Sequence, residues 1–313
     1  MTARLLRIAG LLLMLSAVAL SLSRAPDRPV ETLVARWGLP PSQFLDVGGQ
    51  LVHVRDAGPR ADPAPLVLLH GTSSSLHTWD GWVQGLQARH RVITLDLPGF
   101  GLTGPRADAD YRGDADARFV LAVLDALDVP RCMLGGNSLG GEVAWRVATL
   151  APERVTRLVL VDAAGLAVEG ASVPLGWRLA QLPGLNRLLQ WVLPRALVVQ
   201  GLVQAWGDPA RITDELVDRH FELTLRSGNR RALVQRLQQR TPGSDAERIA
   251  AVRQPTLLLW GAEDRLIPPA AAHEFQRRIA GSELQVFVGL GHVPHEEDPA
   301  RTLAPLRDFL ARP

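Results

Sequence analysis

Six short apolar runs punctuate the chain: PLVLLHG, HRVITLDLPGFG, RCMLGGNS, TRLVLVDAAG, PTLLLWGAED and ELQVFVGLGH. Each is rich in β-branched and aliphatic residues and closes on turn formers. Runs of this kind suit parallel strands buried on both faces, because a half-exposed strand would alternate apolar with polar residues. Between them lie helical patterns such as RGDADARFVLAVLDALDV, which puts Phe119, Val120, Val123, Leu124 and Leu127 on one face. Strand and helix in alternation predict an α/β fold with a mostly parallel sheet. Ahead of them, FLDVGGQLVHVRDAG has two alternating arms about a Gly-Gly pair, the pattern of an antiparallel hairpin.

The alternation stops between about Leu166 and Arg248. That stretch reads as helical throughout, with PLGWRLAQLPGLNRLLQWVLPRALVVQGLVQAW at its centre. Strands resume at PTLLLW, so the segment is expected to be a helical insertion between two strands of one sheet. Trp177, Trp191 and Trp206 stand there among Leu and Val, and three prolines divide it into short helices. The expected organisation is an N-terminal segment 1–24, a linker 25–41, a core in two parts (42–165 and 249–313), and the helical insertion 166–248 between them.

In the first segment, Arg4 and Arg7 precede an uncharged apolar stretch from Ile8 to Ser23, closed by Arg24. As helix it would span roughly 24 Å, against about 30 Å of hydrocarbon, and flanking arginines can snorkel. A charged start and an apolar middle also describe a cleaved signal peptide. The expectation is a membrane anchor with the rest of the chain in the periplasm or outside, or secretion after cleavage. All 34 basic residues are arginines, and the formal charge is only +2. They are interspersed with acids and form no block beside aromatic residues, which argues against a nucleic-acid partner. The single cysteine, Cys132, falls in an apolar run, has no disulfide partner, and is expected in the core.

The run RCMLGG leads into LGGNSLGGEVAW, a serine between glycine pairs followed by a helical pattern. Gly136-x-Ser138-x-Gly140 fits a sharp strand-to-helix turn that holds a serine hydroxyl above the strand end. Strand and helix then pass so closely that only glycine fits beside the serine, and the helix N-terminus offers unpaired N–H groups. The same pattern can also cradle a phosphate. A nucleophilic serine further needs a base and a group to orient that base. Asp264 in WGAEDRLIP and His292 in VGLGHVPHEEDP each follow a strand run, in the order Ser, Asp, His. Ligands of open α/β sheets bind at those carboxyl ends, so the three can converge. Among rivals, Glu263 neighbours Asp264 but points elsewhere, and Asp162 in VLVDAAG is the alternative acid. His295 is expected at the surface or as a cleft wall.

Together HGTSSSLHTW, DLPGFGLTG, GNSLGG, WGAEDRLIP and GHVPHEEDP resemble the α/β-hydrolase superfamily from about Phe44 to the C-terminus, the insertion excepted. The resemblance implies a sheet of about eight strands with helices on both faces and an inserted helical cap. It also implies an oxyanion hole from the Thr72 and Leu139 N–H groups, with His70 as a loop organiser. Serine at position 138 disfavours haloalkane dehalogenases and epoxide hydrolases, which carry Asp there. Hydrolases of ring meta-cleavage products usually have Trp where this chain has Val293, and GHVPHEEDP looks closer to bacterial lipases and esterases. The expected activity is hydrolysis of small-molecule carboxylic esters of small to medium hydrophobic acyl groups through an acyl-enzyme, with no cofactor and no metal. Residues 166–248 are expected to form an apolar lid over the acyl chain, Trp191 included. An acyltransferase, a thioesterase or a C–C bond hydrolase could use the same residues. A non-catalytic, membrane-tethered binding protein would be expected to have lost triad members.

Overall fold

The computed structural model describes residues 4–312 except 9, 12, 13, 15–17, 19, 20, 22 and 189. Eight strands form one sheet: β1 (Ser42–Val47), β2 (Gln50–Ala57), β3 (Leu66–Leu69), β4 (Val92–Leu95), β5 (Cys132–Asn137), β6 (Val155–Val161), β7 (Thr256–Gly261) and β8 (Glu283–Phe287). Their order is β1-β2-β4-β3-β5-β6-β7-β8. The Gly48-Gly49 pair turns β1 into β2 as expected, with Val47 opposite Gln50, and β2 also pairs antiparallel with β4. The remaining pairings are parallel.

Successive side chains along a strand face opposite ways, so each strand feeds two cores. In β3, Val67 and Leu69 join Val120, Val123, Val143 and Phe275, whereas Leu66 and Leu68 join Trp79, Trp82, Leu306 and Phe309. Helices Gly113–Ala126, Leu139–Leu150 and Ala270–Arg278 supply the first cluster; Asp80–Leu86 and Pro299–Leu310 supply the second. The central strands β3, β4, β5 and β7 are buried along their whole length. β8 departs from the expectation of burial on both faces. It is the sheet edge, and Glu283 and Gln285 alternate there toward solvent. Cys132 is fully buried, and desolvation pushes its thiol up to about 12.

Between β6 and β7 lie helices Leu175–Ala180, Leu185–Leu188, Arg195–Ala205, Asp214–Thr224 and Asn229–Gln239. Pro174 and Pro194 stand immediately before two of them, where a missing N–H does no harm. Thr213 caps a third, its hydroxyl accepting from Leu216 N at 3.2 Å.

The stretch 25–41, expected to be a linker, is instead a structured strap. Helix Val30–Trp37 buries Leu33 and Trp37 against Leu102 and Leu223. Trp37 Nε1 donates to Glu222, and Arg36 pairs with Asp218, so both reach the helix Asp214–Thr224. Most of the apolar segment Ile8–Ser23, expected to be an anchor or signal, lies outside the described residues. Among the described residues no helix is long and apolar enough to cross a membrane.

Candidate active site

Ser138 sits between the last residue of β5 and the first turn of helix Leu139–Leu150, with φ 54° and ψ −117°. Such a backbone persists only when its surroundings over-determine it. Here Ser138 N donates to Val161 O at 3.0 Å, and Ser138 O accepts from Glu142 N and Ala164 N at 3.0 and 2.9 Å. The flanking glycines are obligatory. A Cβ on Gly136 would lie 2.2 Å from the Gly140 carbonyl, and one on Gly140 would lie 2.1 Å from Leu69 O.

His292 follows β8 and Asp264 follows β7, and the fold brings them together: His292 Nδ1 lies 2.7 Å from Asp264 Oδ2. The other carboxylate oxygen, Asp264 Oδ1, accepts from Leu266 N and Ile267 N at 2.8 and 3.0 Å. With one oxygen so occupied, the carboxylate is locked in rotation and its second oxygen must receive the Nδ1 proton. That leaves Nε2 unprotonated, the tautomer a general base requires. Ser138 and His292 both line one cavity of about 180 Å³, together with Thr72, Asn137 and the helical segment. Gly71 packs on the nucleophile turn, since a Cβ there would come within 3.2 Å of Ser138 Cβ. Thr72 lines the same cavity, and Leu139 follows Ser138 as the first residue of its helix.

Rival residues separate by environment. Glu263 is exposed, whereas Asp264 is 4% exposed. Asp162 is fully buried at φ 45°; its Oδ1 accepts from Gly261 N at 3.0 Å, and its Oδ2 has no hydrogen-bond partner. Desolvation, then the neighbouring Asp264 charge, pushes the Asp162 carboxyl well above its ordinary value and so favours its neutral form. Oxygen and nitrogen atoms of Asp162, Asp264 and His292 lie within 4.8 Å of one another, a spacing that could suit a cation. Two of the three, His292 and Asp264, are already hydrogen-bonded to each other. His70 is buried, its Nδ1 on Gly71 O at 2.7 Å and its Nε2 accepting from Leu97 N at 2.9 Å, so it ties two loops together.

His295 contradicts the surface expectation. It is fully buried, stacked on Trp79 at 4.0 Å between centroids, and burial lowers its pKa to about 3. Its sequence neighbours are acidic, and only the stacking partner reveals that the chain turns inward there. Trp191 also departs from expectation: it is 66% exposed and outside the cavity, which Trp177 and Trp206 line instead.

Residues that sequence reasoning missed support the site. Asn137 Nδ2 donates to His292 O at 2.9 Å and to Val161 O at 3.2 Å, tying the base loop to β6. Glu297 accepts from Gly291 N and Gly207 N at 2.7 and 2.8 Å, and His292 N donates to Ala205 O at 2.6 Å. His220 lines the cavity and donates Nδ1–H to Ser73 O at 3.0 Å; burial and Arg219 lower its pKa to about 4, so it is neutral.

A second Ser-His-Asp relay, Ser42–His53–Asp96, has comparable hydrogen-bond lengths of 2.8 and 2.7 Å. None of the three lines the cavity, and Arg55 Nε donates to the Ser42 hydroxyl at 3.0 Å, which occupies a nucleophile's lone pair. Asp96 also holds Leu76 N and Leu102 N, so this relay fastens loops. Geometry between three side chains does not by itself make a nucleophile.

A family model for the alpha/beta hydrolase fold matches residues 64–299. The chain belongs to the α/β-hydrolase family. This α/β hydrolase is 32% identical to a 2-hydroxymuconate semialdehyde hydrolase of Pseudomonas sp. strain CF600, over 79% of this chain and 87% of that one. It is 33% identical to the dihydrolipoyllysine-residue acetyltransferase component of an acetoin cleaving system from Pseudomonas putida, over 87% and 70%. Among solved structures, a putative lipase from Acinetobacter baumannii AYE superposes with a TM-score of 0.73 at 25% identity, covering 91% of this chain and 96% of that one.

Proposed function

We propose that this α/β hydrolase cleaves carboxylic esters of apolar acyl groups through an acyl-enzyme on Ser138. Ser138 attacks the carbonyl carbon while His292 Nε2 takes the hydroxyl proton. Asp264 keeps Nδ1–H in place and stabilises the imidazolium. The Thr72 and Leu139 N–H groups receive the oxyanion, an interaction whose loss typically costs about 3 kcal/mol. His292 then protonates the leaving alcohol and activates water for deacylation.

The observation that carries the ester reading is the cavity wall. Trp177, Leu193, Leu197, Val198, Leu202 and Trp206 form much of it. Its charged members are already engaged: Arg230 with Asp27, Glu296 with Arg219 and Thr78. An uncharged acyl chain suits such a wall better than a second carboxylate does.

The relationship to the 2-hydroxymuconate semialdehyde hydrolase favours a second reading, hydrolysis of a C–C bond in an unsaturated keto acid by the same triad. Parallel assays separate the two. Each buried CH₂ adds about 0.8 kcal/mol, so kcat/KM on p-nitrophenyl esters should rise about fourfold per carbon until the cavity is full. A flat or falling profile, with turnover of 2-hydroxymuconate semialdehyde, would replace the ester reading with the second one. We further read the N-terminal apolar segment as an anchor that leaves the hydrolase in the periplasm or outside. A phosphatase fused after the C-terminus should then be active.

A further inference from the structure

Exposed apolar side chains are unevenly placed. In the folded part of the chain, Val173, Leu175, Leu182, Leu185, Trp191 and Val203 all belong to one stretch of the cap. Elsewhere beyond the N-terminal segment, the described residues with large exposed apolar side chains are only Leu39, Phe44, Leu51, Leu150 and Val288, scattered over other elements. The cap stretch is also electrostatically one-sided. From Ala171 to Gly207 the chain has three arginines and no acidic residue. Arg195 is paired with Asp218, but the exposed Arg178 and Arg187 have no carboxylate partner among the described residues, nor has the exposed Arg24.

The N-terminal segment emerges at the same place. Arg24 bridges to Val192, Ala25 N donates to Trp191 O at 3.0 Å, and Leu193 N donates to Ser23 O at 3.1 Å. The described residues before it include exposed Leu5, Leu6, Ile8, Leu11, Met14 and Val18. Exposed apolar side chains and a tryptophan, accompanied by guanidiniums with no carboxylate partner among the described residues, form the pattern that sits at a headgroup–acyl boundary. The absence of carboxylates matches the negative surface of an anionic leaflet.

We propose that the cap face 173–203, with Arg24, Arg178 and Arg187 at its rim, is a docking surface for an anionic phospholipid bilayer. Trp191 enters the interface while the guanidiniums meet lipid phosphates. The cavity over Ser138 is walled by Pro174, Gly176, Trp177, Leu193 and Leu197 of this same stretch, so a bilayer-dissolved acyl compound would reach the nucleophile with little travel through water. That corollary rests on the ester reading; the docking surface does not.

Trp191 can serve as reporter by difference, because Trp37, Trp79, Trp82, Trp145, Trp206 and Trp260 are buried and the half-buried Trp177 is common to both proteins compared. The full-length chain would be reconstituted into bilayer discs of equimolar phosphatidylglycerol and phosphatidylcholine with brominated acyl chains. Emission of wild type minus Trp191→Phe isolates the reporter. It should be quenched by about half, as for a ring seated ~5–10 Å deep at the boundary. Discs of phosphatidylcholine alone, or the Arg178→Gln/Arg187→Gln variant, should weaken the quenching, since each surface guanidinium is worth about fivefold in partitioning. A Trp191 component that stays unquenched in anionic discs would overturn the proposal. So would its burial in a dimer of this chain that forms equally well without lipid. Neither readout needs turnover, so failure of the ester assay leaves the test intact.

Discussion

Replacing each of the two buried acids near His292 with asparagine should give opposite outcomes, and the geometry says why. In Asp264→Asn the side chain must keep an acceptor toward Leu266 N and Ile267 N, because those donors have 2.8 and 3.0 Å bonds to Oδ1. The amide oxygen therefore stays there and the NH₂ group turns toward His292 Nδ1. A donor facing Nδ1 forces the ring proton to Nε2, where it blocks abstraction from Ser138. A wrong tautomer of this kind lowers kcat about 10⁴-fold, roughly 5.4 kcal/mol at 1.36 kcal/mol per decade. Burial and the neighbouring Asp264 charge favour the protonated form of Asp162, so Asp162→Asn puts a neutral donor-acceptor where the site already favours one. It can still accept from Gly261 N, and kcat should change by less than about tenfold.

The same substitution carries a stability signature with a definite sign. A carboxyl whose folded pKa is raised keeps its proton while the unfolded chain releases it. Its contribution is therefore fully present below the unfolded value, near pH 4, and is lost as pH rises toward the folded pKa. Asp162→Asn removes that loss, so its Tm relative to wild type should be higher at pH 7 than at pH 3.5. The assay is kcat on p-nitrophenyl butyrate alongside thermal unfolding at both pH values. If Asp162→Asn inactivates while Asp264→Asn retains more than about 1% of kcat, the assignment of acid and neighbour is reversed and the tautomer argument fails.

Ser138→Ala and His292→Ala should each remove at least about 10³ of kcat, with the double variant scarcely worse than either, as measured on one ester at saturation. Gly140→Ala should destabilise by about 1–3 kcal/mol in urea unfolding, because its Cβ would press on Leu69 O and neither backbone can move far. Trp177→Ala should flatten the rise of kcat/KM with acyl length while sparing acetate esters; an unchanged slope would remove Trp177 from the acyl wall.

The strand runs and the order Ser138, Asp264, His292 were legible because they depend on local pattern and on chain order. The Gly136 and Gly140 requirement was legible too, since a strand–turn–helix forces the close approach wherever it occurs. What could not be read were features whose partner is far away in the chain. Trp37 meets Glu222 across 185 positions, and without that partner the Pro-rich stretch around it looks like a linker. His295 is buried by Trp79, and Asn137 reaches the carbonyl of His292. Trp191 illustrates the opposite error: apolar residues in a helical insertion can face outward, and composition does not say which.

The base loop and the end of helix Arg195–Ala205 are stitched together by His292 N on Ala205 O and by Glu297, which holds both Gly291 N and Gly207 N. A Cβ on Gly291 would fall 2.4 Å from Ala205 O, and one on Gly207 would fall 2.5 Å from Gly289 O, so the two backbones run in direct contact. The fastening holds the Ala205 end of the cap against the base loop and does not involve residues 175–188. The His292 loop is thus held from two directions, its backbone by the cap and its imidazole by Asp264.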